Sequence, residues 1–285
     1  MPTKIEKDDV TGRETTGHEW DGIKELNTPL PKWWVNLFYV TIIWAVAYMA
    51  VYPSLPWIHG WLGYWSRAEL GQSLDDQRAL RSGFVSRIAA ADLEEIHRDI
   101  ELRSYALAGG RQIFADNCAP CHGAGGGGAM GYPNLADDDW LWGGDLANIH
   151  VTIRHGIRNA DANSRMSQMP RYGVDGILTA PQIQQVADHV LALSGTTPAG
   201  GAGSTGAALY AEHCVSCHGD GGEGNSALGA PRLSDRIWLY GGDRASVIKS
   251  ITNARAGAMP GWEGRLDPAT IKMLTVYVHS LGGGR

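Results

Sequence analysis

Four cysteines occur in this chain of 285 residues, and all four belong to two copies of one pattern: Cys118-Ala119-Pro120-Cys121-His122 and Cys214-Val215-Ser216-Cys217-His218. Two thiols three positions apart, followed at once by an imidazole, suit covalent capture of one haem. The thiols reach its two vinyl groups as thioethers, and the His meets the iron. The competing chemistries fit less well. A redox Cys-x-x-Cys needs a strand before it in an α/β chain. A structural zinc shared by both pairs usually has about 12–20 residues between its halves, whereas 92 separate Cys121 from Cys214. The pattern therefore assigns Cys118, Cys121, Cys214 and Cys217 to two covalent haems, with His122 and His218 on the irons. No thiol remains for a disulfide.

The elements that must position these motifs are themselves repeated, from about Ala106 to Gly195 and from Gly206 to the end. Gly110 and Gly206 lie eight residues before the first Cys of each motif, and Phe114 and Tyr210 lie four before it. On a helix these share a face, where Gly admits a close neighbour and the aromatic fills the core. A Gly-rich loop follows each motif, and Trp140-Leu141-Trp142-Gly143-Gly144-Asp145 then matches Trp238-Leu239-Tyr240-Gly241-Gly242-Asp243. Each copy closes with a helix opened by a Thr or Asp with Pro and stopped by Gly. The stretch 196–205, rich in Gly, Thr and Ser, reads as a flexible linker.

This plan resembles class I cytochromes c, in which the first and last helices cross and a returning loop carries a Met as sixth ligand. The resemblance implies Met169, in Gln168-Met169-Pro170, for the first haem, and Met259, in Ala258-Met259-Pro260, for the second. The His-to-Met separations are 47 and 41 residues, the extra length lying around Asn159–Arg165. Pro after each Met restricts it to an extended shape. Met130 and Met166 are rivals in the first copy, and Met273 reads as core in the second. His/Met ligation raises the potential of the iron and suits electron transfer. It leaves no open position for a substrate. Trp140, Trp238, Arg154 and Arg158 are candidates to meet haem propionates or simply to pack.

Upstream, residues 1–32 carry five Lys/Arg and seven Asp/Glu and read as an exposed tail with little capacity to fold alone. Trp33 to Tyr52 is 20 residues without a charge. At about 1.5 Å per residue it covers the roughly 30 Å hydrocarbon core of a bilayer. The span 33–53 is thus expected to be a single transmembrane anchor in contact with lipid, ended by Pro53 and Pro56 and flanked by interfacial Trp and Tyr. It starts too late for a signal peptide. Lys24 and Lys32 precede it and the first basic residue after it is Arg67, which favours the N-terminus inside and the haem domains outside. Asn36 and Thr41 are suited to a partner helix, or to the headgroup end of the span. Residues 54–105 read as an interfacial and connecting helical segment. Net charge is −6, and no basic block suggests nucleic acid. The fold expected is mainly α: one N-terminal transmembrane helix and then two tandem class I cytochrome c domains, 106–195 and 206–285.

The opening stretch narrows the family. Thr16-Gly17-His18-Glu19-Trp20-Asp21-Gly22-Ile23, then Glu25-Leu26-Asn27, Pro29-Leu30-Pro31 and Trp33-Trp34, resembles the start of the dihaem subunit (FixP or CcoP) of cbb3-type cytochrome c oxidases. The resemblance implies a subunit in the bacterial cytoplasmic membrane with its haem domains in the periplasm. It would take electrons from a cytochrome c donor. It would pass them through its two haems to a monohaem cytochrome c subunit and the haem–copper catalytic subunit, which reduces oxygen. On this reading the chain is no enzyme by itself. An anchored dihaem cytochrome of another respiratory or dehydrogenase complex is the alternative, and a dihaem peroxidase is a more distant one.

Overall fold

The computed structural model describes residues 4–55, 57–196 and 204–282. The chain divides into two units, Met1–Arg78 and Ala79–Arg285. Pro56 and most of the linker, 197–203, lie outside the described residues.

The N-terminal unit opens with an antiparallel pair, β1 (Thr15–Trp20) and β2 (Ile23–Leu26). The expectation of an exposed tail with little capacity to fold alone is corrected for residues 15–26, which form this hairpin. Asp21 and Gly22 between the strands both take positive φ, 49° and 82°, as a two-residue hairpin turn of the Asp-Gly type requires. Lys24 pairs with Glu6 beside it. Helix α1 (Lys32–Val51) follows, and Tyr52 ends it in an extended conformation just ahead of Pro53. None of its residues is buried within the chain, so it is not the core helix of a soluble body. Its apolar surface requires a surrounding that is not water.

The second unit is helical. Helix α2 (Ser66–Ala90) delivers Ile88 to this unit, and α3 (Leu93–Arg98) is capped by Asp92 accepting from the Glu95 N–H. Helix α4 (Ile100–Asn117) is capped by Asp99, which accepts from two amides. It begins within the segment expected to be a connector, so the boundary at 105/106 falls inside a helix. The remaining helices are α5 (Ala119–His122), α6 (Leu146–His155), α7 (Ala180–Leu193), α8 (Thr205–His213), α9 (Val215–His218), α10 (Arg244–Asn253) and α11 (Pro268–His279).

The two repeats do not close on themselves. Helix α11, from the end of the second copy, crosses α4 and α6 of the first, while α7, from the end of the first copy, packs on α8 and α10 of the second. Phe114, Ile149 and Ile153 share a core with Ile271, Leu274 and Val278; Tyr210, Val247 and Ile251 share one with Ile183, Val186 and Val190. The domains expected over 106–195 and 206–285 therefore hold as repeats along the sequence but exchange their closing helices in space. Two physical features permit the exchange. A Cβ at Gly110 would sit 2.5 Å from the Met273 carbonyl oxygen, and one at Gly206 2.2 Å from the Gln185 carbonyl oxygen, so each opening helix leaves room for a closing helix to pass close by. Helices α7 and α8 are also neighbours in sequence, and such neighbours usually pack together.

Lys272 of α11 adds a further tie. Its ammonium donates to the carbonyls of Ile88, Ala89 and Ala91 at 3.2, 2.8 and 2.6 Å. These are orphan carbonyls at the end of α2, and a cation there also meets the negative end of the helix dipole.

Candidate haem sites

Each Cys-x-x-Cys-His motif folds as one tight turn at the end of an opening helix. The Cys118 carbonyl accepts from the Cys121 and His122 amides at 3.1 and 2.9 Å, and the Cys214 carbonyl from Cys217 and His218 at the same distances. The turn brings two thiols and one imidazole together, and none of the four cysteines is in a disulfide. Burial pushes the Cys118 and Cys214 thiols up to about 11.

Both imidazoles are aimed by a main-chain carbonyl. His122 Nδ1 lies 3.0 Å from the Pro133 oxygen, and His218 Nδ1 lies 2.9 Å from the Pro231 oxygen. Holding Nδ1 in this way fixes the tautomer and leaves Nε2 to meet a metal. Burial lowers the His218 pKa, which keeps it the neutral ligand form. The Gly-rich loops supply the two carbonyls. Gly128 and Gly224, at φ 69° and 80°, return their amides to the His122 and His218 carbonyls at 2.7 and 2.8 Å. A side chain at either would press on the loop backbone.

Met259 packs on the same core as Cys118, Ala119 and Trp140, whereas Met169 packs on the core that holds Cys214 and Val215. The structure thus packs Met259 on the core beside the Cys118 motif and Met169 on the core beside the Cys214 motif, the reverse of their order along the sequence. The cause is the helix exchange, because each Met loop travels with the closing helix that follows it. Of the rivals, Met130 and Met166 are 77% and 70% exposed, and Met273 is core as expected.

The propionate candidates divide. Arg154 is paired with Glu263. The Arg158 guanidinium donates to the carbonyls of Gly257 and Ser167. Among the described residues, the buried indole N–H of Trp140 has no partner, as a donor awaiting a ligand oxygen would, and that of Trp142, not among the candidates, is alike; Trp238 packs against the core of Tyr210. Sequence reading missed Arg165 and Arg255, each four residues before its Met. Their guanidinium groups lie over the Trp142 and Tyr240 rings at 5.3 and 4.7 Å and bond back to α6 and α10. Their equal spacing from Met was the available signal.

Two attachment turns, two carbonyl-anchored imidazoles and two Met loops within helical cores define a c-type cytochrome with two haems. The family model for the N-terminal domain of the cbb3 cytochrome oxidase protein FixP matches residues 12–59, that for cytochrome c matches 107–194, and that for cbb3-type cytochrome c oxidase subunit III matches 201–278. The chain is 52% identical to the cbb3-type cytochrome c oxidase subunit FixP of Bradyrhizobium diazoefficiens over the whole of both chains. It is 51% identical to subunit CcoP of an Azospirillum strain over 98% of each, and 46% identical to subunit CcoP of Cereibacter sphaeroides over 95% of each. The chain belongs to the FixP/CcoP family of cbb3-type cytochrome c oxidase subunits.

Proposed function

We propose that this chain is the membrane-anchored, dihaem electron relay of a cbb3-type oxidase, carrying electrons from a cytochrome c donor to the catalytic core. The observation that carries this reading is the coincidence of two carbonyl-anchored Cys-x-x-Cys-His turns with family likeness along the whole chain. Each covalent haem, when bound, supplies a one-electron iron centre. Cys118, Cys121 and His122 would hold one, and Cys214, Cys217 and His218 the other. Met259 and Met169 would respectively supply each with a thioether ligand, a donor set that suits a high potential and electron transfer rather than substrate binding.

The chain then does no oxygen chemistry itself. Its partners are the haem–copper catalytic subunit and the monohaem subunit of the oxidase, and helix α1 holds it among them in the bacterial cytoplasmic membrane. Lys24 and Lys32 ahead of the span favour haem domains on the periplasmic side. An anchored cytochrome of a different complex is disfavoured by the match of residues 12–59 to the FixP N-terminal domain. A mild-detergent purification through this chain tests the reading. Co-purifying b haem, copper and oxygen uptake with reduced cytochrome c are expected; two c haems alone, without uptake, would overturn the assignment to an oxidase.

A further inference from the structure

The longer loop of the first repeat does work at the crossing between the repeats. Helix α6 ends at Gly156, and Ile157 and Met259 then exchange main-chain hydrogen bonds at 3.0 and 2.9 Å. The Asn159 amide adds a third bond to the Met259 carbonyl at 2.7 Å. Between Ile157 and Asn159 stands Arg158 in a left-handed conformation, φ 49°. For a residue with a long side chain this is uncommon, and it persists where surrounding contacts fix it.

Those contacts are specific. Arg158 Nε donates to the Gly257 carbonyl at 2.7 Å, and one terminal nitrogen donates to the Ser167 carbonyl at 3.0 Å. Gly257 is two residues before Met259, and Ser167 is two residues before Met169. One planar fork thus grips the two Met loops at the same position in each. Among the described residues no carboxylate forms an ion pair with Arg158, so its donors serve main-chain oxygens. The second repeat has no counterpart, because Arg255 follows directly on Ala254, the cap of α10.

We infer that Arg158 is a positioning residue common to both haems, a strut that holds both Met-bearing loops in register, so that loosening it disturbs the sixth ligand of each. The inference rests on the reading of Met169 and Met259 as ligands. A lysine keeps the charge but not the rigid two-pronged geometry. Substitution by lysine therefore separates positioning from electrostatics.

The test uses the full-length haem-loaded chain in detergent. Axial Met gives each ferrous haem its own strongly upfield ε-methyl proton resonance, and redox titration gives both potentials. Arg158→Ala is expected to shift or broaden both resonances and lower both potentials, and Arg158→Lys to do the same in lesser degree. Asn159→Ala, which loses side-chain bonds to the Met259 and His155 carbonyls and to the Asp161 amide but none to the Met169 loop, is expected to move one haem alone. Arg158→Lys carries the decision if the Ala variant fails to load both haems. The inference is overturned if the Arg158 variants move one haem or neither, if Arg158→Lys matches the unsubstituted chain, or if Asn159→Ala moves both haems equally. Failure of the underlying ligand reading shows up separately, as an unsubstituted chain lacking two such resonances.

Discussion

Met259 and Ile157 exchange both of their main-chain hydrogen bonds although they belong to different repeats. This short bridge is where the two copies interlock, and it ties the sixth ligand proposed for the first haem to the end of a first-repeat helix. Electron relay needs two irons held at fixed potentials and a fixed separation. Interlocking two small helical bodies by their closing helices serves that end, since neither can open without loosening the other.

The glycines at the helix crossings give the first prediction. A Cβ at Gly110 would meet the Met273 carbonyl at 2.5 Å and the Tyr277 Cβ at 2.6 Å. Backbone cannot yield as a side-chain tip can. Gly110→Ala should lose about 1–3 kcal/mol despite the gain in helix propensity. Thermal denaturation of the haem-loaded chain would measure it, and an unchanged or raised Tm would contradict the packing of α11 on α4.

Lys272 gives the second. Removing its ammonium strands three carbonyls at the end of α2. Lys272→Met should cost about 1–2 kcal/mol. Hydrogen exchange should quicken in the last turn of α2 before anywhere near the haem turns. A uniform change, or none, would speak against the cap.

Acid–base behaviour gives the third. Burial, with Asp235 and Asp137 nearby, raises Asp139 from an ordinary 3.8 to about 6, and Arg232 offsets this only in part. A carboxyl raised in the folded state favours folding while it is protonated. That contribution is present below about pH 4 and is lost as pH climbs through 6. Asp139→Asn should therefore be the more stable form at pH 7, by on the order of 1 kcal/mol once solvent screening of this partly exposed group is allowed for. The difference should vanish toward pH 4. Denaturant titrations at the two pH values decide it, and a variant less stable at pH 7 would refute the assignment.

Haem attachment gives the fourth. Cys214→Ser leaves Cys217 as a single thioether anchor beside His218. One haem should then survive denaturing electrophoresis at full strength while the other is weak or lost. Two equally firm haems would overturn the motif reading.

Much of this molecule was legible in its residues. The Cys-x-x-Cys-His turns, the charge-free span and the Met-Pro pairs each carry their physics locally, and the structure places α1 and the short turns where those signals stand. The Asp21-Gly22 turn was equally local, and the charged composition around it concealed the hairpin. The crossing was not legible. Gly110 and Gly206 announce that a helix passes close, but the two closing helices are alike enough to serve either site. Which one arrives depends on connections such as Ile157–Met259 and Arg244–Asp188, pairings between distant residues that no spacing encodes. Arg158 was noticed for its charge, and its bonds to Ser167 and Gly257 exist only because the two loops meet.

The pairing of ligands across the repeats is the central claim, and a chain with one haem tests it most directly. With Cys214 and Cys217 replaced by Ser, only the haem of Cys118, Cys121 and His122 remains covalently attached. Redox titration of that chain with and without Met259→His, and with and without Met169→His, should show the potential falling sharply for Met259→His and staying nearly unchanged for Met169→His. The reverse result, a fall with Met169→His alone, would mean that each repeat supplies its own sixth ligand and would contradict the crossed pairing.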